Sequence, residues 1–437
     1  MCESMNIPRG KIFHLSIACV VLATFATVLI FLMAETSRFN GHPDEYLHFK
    51  GAQYYRSYWL PPKVGDGRSE YTYSYFGISY LDEPDIVYFL AGKFSKALSF
   101  TELPPYLLSR AFNFTLFVVL FLILLKYSFQ FEIPLYGILL LSPQIWYVFS
   151  YFNSDAFGFF VGIFLILELS ELIRKPERAI PSIKIGLWLG MLVLAKKNYY
   201  VLIPVLAGVA VWHWIFFSKV GQRHALLKKW LKVALLAAVI ALPKIVYQQW
   251  VNDFNLSGKR VAQMEKMAAP GFKPSEVTAP YSPWHVNMRA KGKPFQKLLS
   301  VYQWHLISFK SMAGLYGWMN VLSPNWYYWA IFLLYIILFG RLFIPSRPLK
   351  WSELVLTAIG IFGMTASCVA SLINSWTVAF QAQGRYLFPL FCIFLLLLAY
   401  KWERLPQRFF YWGFLSTGVL SLGSFLFVAL KNVPTWI

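Results

Sequence analysis

Five short polar stretches stand out in a chain that is 58% hydrophobic and only 14% charged. In GHPDEYLHF, Gly41–Phe49, Asp44 and Glu45 follow Pro43, and His48 stands four residues after Asp44. A proline suits the first turn of a helix, where carboxylates are favoured by the helix dipole. The same spacing would put Asp44 and His48 on one helix face, where a carboxylate beside an imidazole can take a proton from an alcohol. YLDEPDIVY carries Asp82, Glu83 and Asp85, oxygen ligands for a divalent metal ion or else a solvated turn around Pro84. YFNSDAF carries Asn153 and Asp155, either a turn closed by local hydrogen bonds or a polar pair for substrate.

Two further stretches are cationic. LAKKNYYVL sets Lys196 and Lys197 within a long apolar run. Charges at that depth are costly and usually functional, unless they snorkel to a boundary. A phosphate is their natural counterpart. In FQAQGRYLFPL, Arg385 is flanked by Gln381, Gln383, Gly384 and Tyr386. The glycine lets the backbone approach a ligand closely, and the guanidinium fork suits phosphate oxygens. An interfacial anchor is the competing role.

The elements that must hold these groups are apolar runs. Eleven are expected as spans, at 12–34, 107–126, 134–152, 156–172, 185–196, 199–217, 231–250, 323–340, 352–374, 385–401 and 408–430. The chain therefore reads as one all-α polytopic membrane domain over 1–437. The run 12–34 is too long for a signal-peptide core and is expected to stay as an anchor. The run 185–196 is short, suggesting a tilted or broken helix. With the N-terminus cytoplasmic, the short basic connections ELIRKPERAIPSIK, SKVGQRHALLKKWLK, RLFIPSRPLK and KWERLPQR all fall inside, as the positive-inside rule requires. The nearly neutral KYSFQFEIP does not discriminate. Segments 35–105 and 251–322 then lie outside. The first is rich in Tyr, Trp and Pro, which suits helices lying along the outer surface.

The net charge of +20 is spread over these connections, so it argues for anionic membrane lipids and against nucleic acid. Cys19, Cys368 and Cys392 fall in apolar runs, and Cys2 stands apart, so neither a disulfide framework nor a cysteine metal site is expected. Under this topology all five polar stretches reach the same outer face. Acids on one part of a site and Lys or Arg on another suit a phosphate-bearing lipid donor and a nucleophile to be deprotonated.

HPDEYLHFKGAQYYRSYWLPP resembles the first outer loop of GT-C superfamily glycosyltransferases, such as lipid A aminoarabinose transferases and protein mannosyltransferases, which carry an Asp-Glu pair after the first transmembrane helix. A bacterial branch of GT-C-like membrane proteins is closer still. It shows PDE followed by His, an N-D pair, a K-N-Y hairpin, FGW late in the second loop and a terminal GRY-PL. Here these are matched by Pro43-Asp44-Glu45 with His48, Asn153 with Asp155, Lys197-Asn198-Tyr199, LYGWMN and Gly384-Arg385-Tyr386. The resemblance implies a GT-C-type enzyme of the bacterial inner membrane. A sugar would pass from a polyprenyl-phosphate donor, such as an undecaprenyl phosphate, to a cell-envelope glycan or lipid-linked acceptor at the periplasmic or extracellular face. Asp44 matches the proposed general base.

On this expectation Asp44 and Glu45 are catalytic, and Lys196, Lys197 and Arg385 bind the donor phosphate. His48, Asn153, Asp155, Gln383 and Tyr386 bind substrate. The aminoarabinose transferases have Lys-Pro-Pro where this chain has Glu83-Pro84-Asp85, so Lys196 or Lys197 is expected to supply the phosphate-binding lysine. No large soluble domain follows the last span, which favours glycan or lipid acceptors over peptides. A glycolipid flippase and a surface-polysaccharide polymerase or ligase are the alternatives.

Overall fold

Long uncharged runs can satisfy their backbone polar groups in an apolar solvent only as helices. The computed structural model, which describes residues 9–218, 221, 223–344 and 350–435, is accordingly a helical bundle. It opens with α1 (Arg9–Thr36), two shorter helices α2 (Glu45–Ser57) and α3 (Val87–Ala97), then α4 (Pro105–Phe131). There follow α5 (Pro143–Ser150), α6 (Ser154–Arg174), α7 (Ser182–Val193), α8 (Leu202–Phe217) and α9 (Arg223–Val251). A second excursion holds α10 (Leu256–Met267), α11 (Lys297–Ser300), α12 (Trp304–Gly314) and the antiparallel two-residue strands β1 (Leu315–Tyr316) and β2 (Val321–Leu322). The bundle closes with α13 (Asn325–Phe343), α14 (Trp351–Thr377), α15 (Pro389–Lys401) and α16 (Gln407–Ser424). Cys2 and parts of the connections 218–232 and 341–350 lie outside the described residues.

Nine helices among the described residues are long and apolar enough to cross a membrane. The expected eleven differ in two places. Run 134–152 is not one span but a 3-10 turn, Leu135–Leu140, followed by α5. The break falls at Ser142-Pro143: the proline has no N–H to donate, and Ser142 caps α5 by accepting from the Gln144 N–H. Run 185–196 forms α7, short as expected. It lies close along α9 because Gly186 and Gly190 present no side chain; a Cβ at either would stand 2.7 Å from Leu236 or Ile240.

The core sits around α6, which is buried almost along its whole length, and the segment carrying α15; α9 and α14 are peripheral. The two chain excursions meet as a single cap over one end of the bundle. Val64 N–H donates to Asn252 (3.0 Å), Ala269 N–H to the Tyr75 carbonyl (2.9 Å), and Gln248 to the Leu81 carbonyl (3.0 Å). The opposite end has its own ion pairs, Arg174–Glu403, Lys184–Glu168 and Arg404–Glu353.

Candidate functional site

The site is built on four chain turns brought to the capped end. α2 begins at Glu45, two residues later than Pro43 suggests. Asp44 is its N-cap, in a left-handed conformation (φ 60°, ψ 6°), and its side chain caps nothing. Aspartate tolerates that region better than most residues, at some cost in strain. The carboxylate is thereby free to turn to Arg385, whose Nη2 lies 3.1 Å from Asp44 Oδ2. About a third of the Asp44 side chain remains exposed, whereas Arg385 is almost wholly enclosed.

Arg385 is the hub. Its Nε reaches Gln383 Oε1 (2.7 Å) and Asp155 Oδ2 (3.4 Å), and its Nη1 donates to the Tyr151 hydroxyl (3.0 Å). The adjacent Gly384 packs so tightly on α12 that a side chain there would collide with the Met312 backbone. Lys196 Nζ reaches the same Asp155 oxygen at 2.7 Å and stands 4.8 Å from the Tyr386 ring centre. A continuous chain of contacts thus runs Asp44, Arg385, Asp155, Lys196. Beside it lies a cavity of about 370 Å³ lined by Lys196, Lys197, Asn198, Tyr80, Tyr386 and one face of α14, among others.

The expected site residues separate into those at the cavity and those that support it. Lys196, Lys197, Glu83, Asp85 and Tyr386 line it. Arg385 does not, since its donor groups are taken by Asp44, Asp155, Tyr151 and Gln383; the geometry makes it a positioning residue rather than a phosphate ligand. Gln383 serves that arginine. Asn153 is not a substrate group either. It caps α6 by accepting from Ala156 N–H, and its amide donates to the Val148 and Tyr151 carbonyls. Asp155, by contrast, is no turn residue: it is fully buried between two cations.

Glu45 is also displaced from the catalytic role. It is buried against Arg110, with bonds of 2.6 Å to Nε and 2.9 Å to Nη2. Arg110 donates further to the Ala34, Ser37 and Arg38 carbonyls, so the pair ties the end of α1 to the start of α2 and sets where Asp44 points. Burial raises the Glu45 carboxyl above its usual range, and Arg110 opposes the shift. Arg110→Ala is expected to cost about 3–5 kcal/mol, because it strands a buried carboxylate. Glu45→Gln should cost less, and unfolding in detergent measures both.

His48 does not join Asp44. It stacks on Tyr80 (4.3 Å, 5°), and its Nδ1 lies 2.8 Å from the Tyr88 hydroxyl. His42, in the same stretch, stacks on Tyr151 (4.5 Å) and bridges Ser37 and Tyr147. Burial holds both imidazoles well below their usual range, assisted by Arg110 for His42 and by Lys196 and Arg385 for His48. Their stabilising contribution is therefore present above the unfolded value, near 6.5, and is lost as pH falls. The melting temperature in detergent should drop on acidification from about pH 7 to 5, and less steeply in His48→Gln.

Asp82, Glu83 and Asp85 diverge instead of forming a metal cluster, and among the described residues no group of three His, Cys, Asp or Glu could hold a metal ion. Asp82 faces the Tyr73 hydroxyl, and burial pushes its carboxyl up to about 6. Glu83 pairs with Lys197 (2.6 Å) and Arg260 (3.5 Å). Lys244 donates to the Pro84 and Asp85 carbonyls, at 3.0 and 2.8 Å. Burial raises the Asp85 carboxyl, with Lys244 opposing. Tyr80, Tyr88, Tyr151, Arg110 and Lys244 were not singled out by sequence. The chain has 26 tyrosines, so only packing marks the three named, whereas Arg110 and Lys244 stand as charges inside the expected spans 107–126 and 231–250.

A multi-pass helical membrane protein with an ion-paired site at one end of its bundle is the class these features define. The chain belongs to the family described as DUF2142, predicted membrane protein, which matches residues 56–394. Asp155, Lys196 and Arg385 lie within the matched segment, and Asp44 precedes it. No curated protein matches the chain.

Proposed function

We propose that the protein is an inverting GT-C-type membrane glycosyltransferase. It would transfer a sugar from a polyprenyl-phosphate donor to a cell-surface glycan or lipid acceptor at the outer face of a bacterial plasma membrane. The observation that carries this is the linkage of a partly exposed carboxylate, Asp44, to a cationic cavity wall, Lys196 and Lys197, through Arg385 and Asp155. The lysines hold the donor phosphate. Asp44 takes the proton from the acceptor hydroxyl as the acceptor oxygen bonds to the anomeric carbon. The bond from that carbon to the phosphate oxygen breaks, and its electron pair leaves on the phosphate, where the lysines neutralise it. Arg385 keeps the Asp44 carboxylate aimed.

The purified chain in proteoliposomes should move a mass-tagged sugar from an undecaprenyl-phosphate donor to an acceptor hydroxyl. Translocation of a labelled glycolipid without any sugar transfer would overturn this reading in favour of a flippase. Product length separates single transfer from polymerisation.

A further inference from the structure

The cavity beside Lys196 carries a second chemical signature besides the ion pairs. Both polar atoms of the Asn198 amide are buried and have no hydrogen-bond partner. So are the hydroxyls of Ser367 and Ser371 on α14. All three residues line this one cavity. An unsatisfied buried polar group costs about 1–3 kcal/mol, so an amide left wholly unpaired points to a missing partner.

The serines sharpen the point. A hydroxyl inside a helix ordinarily donates back to the carbonyl four residues earlier. Thr357 and Thr377 of the same helix do so, to Glu353 (2.7 Å) and Ile373 (2.8 Å). Ser367 and Ser371 do not. With Ala370 and Asn374 they form a face at helical spacing that looks onto the cavity. Ser367 lies about 15 Å along the helix from its end at Thr377, so polar groups reach well below the ionic cluster.

Donors and acceptors without charge, lining one cavity together with a lysine pair, fit a ligand rich in hydroxyls that hangs from a phosphate. We propose that this cavity binds the glycosyl group of the donor and that Asn198 is its recognition residue, an assignment that rests on the transferase reading above. The amide offers two donors and one acceptor, enough to bridge neighbouring sugar hydroxyls. Ser367 and Ser371 add two hydroxyls from α14.

The test compares binding of undecaprenyl phosphate with binding of a panel of undecaprenyl-phosphate hexoses and aminosugars to the purified chain. Asn198→Leu keeps the side-chain volume and removes the hydrogen bonds. It should weaken the preferred sugar-bearing donor about ten- to a hundredfold and leave bare undecaprenyl phosphate unchanged. Lys196→Met should weaken both ligands alike. Thermal stability guards against a folding artefact, since removing an unpaired amide should not lower it. If Asn198→Leu changes neither affinity while wild-type protein still transfers sugar, this assignment fails alone. If no sugar-bearing donor binds and no transfer occurs, the transferase reading falls with it.

Discussion

Asp44→Asn is expected to abolish sugar transfer, with a loss of about two to four orders of magnitude, and to leave the folded protein intact. The reasons lie in how Asp44 is held. Its backbone starts α2 in a conformation that asparagine tolerates as well as aspartate. Its side chain makes no cap, and a third of it is exposed, so the amide adds little folding penalty. What asparagine lacks is the basic oxygen pair that can accept a proton. Transfer in proteoliposomes and melting temperature are the paired readouts. Full activity in Asp44→Asn would remove Asp44 from the mechanism.

Arg385→Lys should lower kcat about a hundredfold while barely moving KM for the donor. The guanidinium contacts Asp44, Asp155, Tyr151 and Gln383 at once. A lysine keeps the charge near Asp155 but cannot span the same four partners, since it is a point charge on a flexible stem. Asp44 would then lose its aim, which acts on the chemical step. Lys196→Met should do the reverse and act mainly on donor KM. A large rise in donor KM for Arg385→Lys would restore the arginine to the phosphate itself. Arg385→Ala is less informative, because it strands the buried Asp155 and threatens the fold.

The bundle was legible in the sequence because apolar runs near twenty residues have no other way to satisfy their backbone in lipid. Where it misled, at 134–152, the clue was the Ser142-Pro143 pair within an otherwise unbroken run. The ionic chain was legible for a related reason. In so apolar a sequence Asp44, Asp155, Lys196 and Arg385 are conspicuous, and their burial needs partners. Which cation serves which acid was not legible. Glu45 beside Asp44 reads as a second catalytic acid until Arg110, 65 residues away, proves to enclose it. Likewise the three acids at 82–85 read as a metal site until Tyr73 takes Asp82, Lys197 and Arg260 take Glu83, and Lys244 holds the Pro84 and Asp85 carbonyls. Such pairings are set by packing between distant helices, which local spacing does not encode.

The contact between Asp44 and Arg385 joins residues 341 positions apart. On a chain made at about 5–20 residues per second, Asp44 waits roughly 20–70 s for its arginine to emerge. Asp155 and Lys196, only 41 positions apart, can pair long before that. The ion-paired chain can therefore form in two stages during synthesis, with Lys196 already paired to Asp155 when the last helices arrive. A nascent chain halted before residue 385 would carry an inserted bundle with an unaimed carboxylate, so the proposed chemistry would become available only as translation finishes.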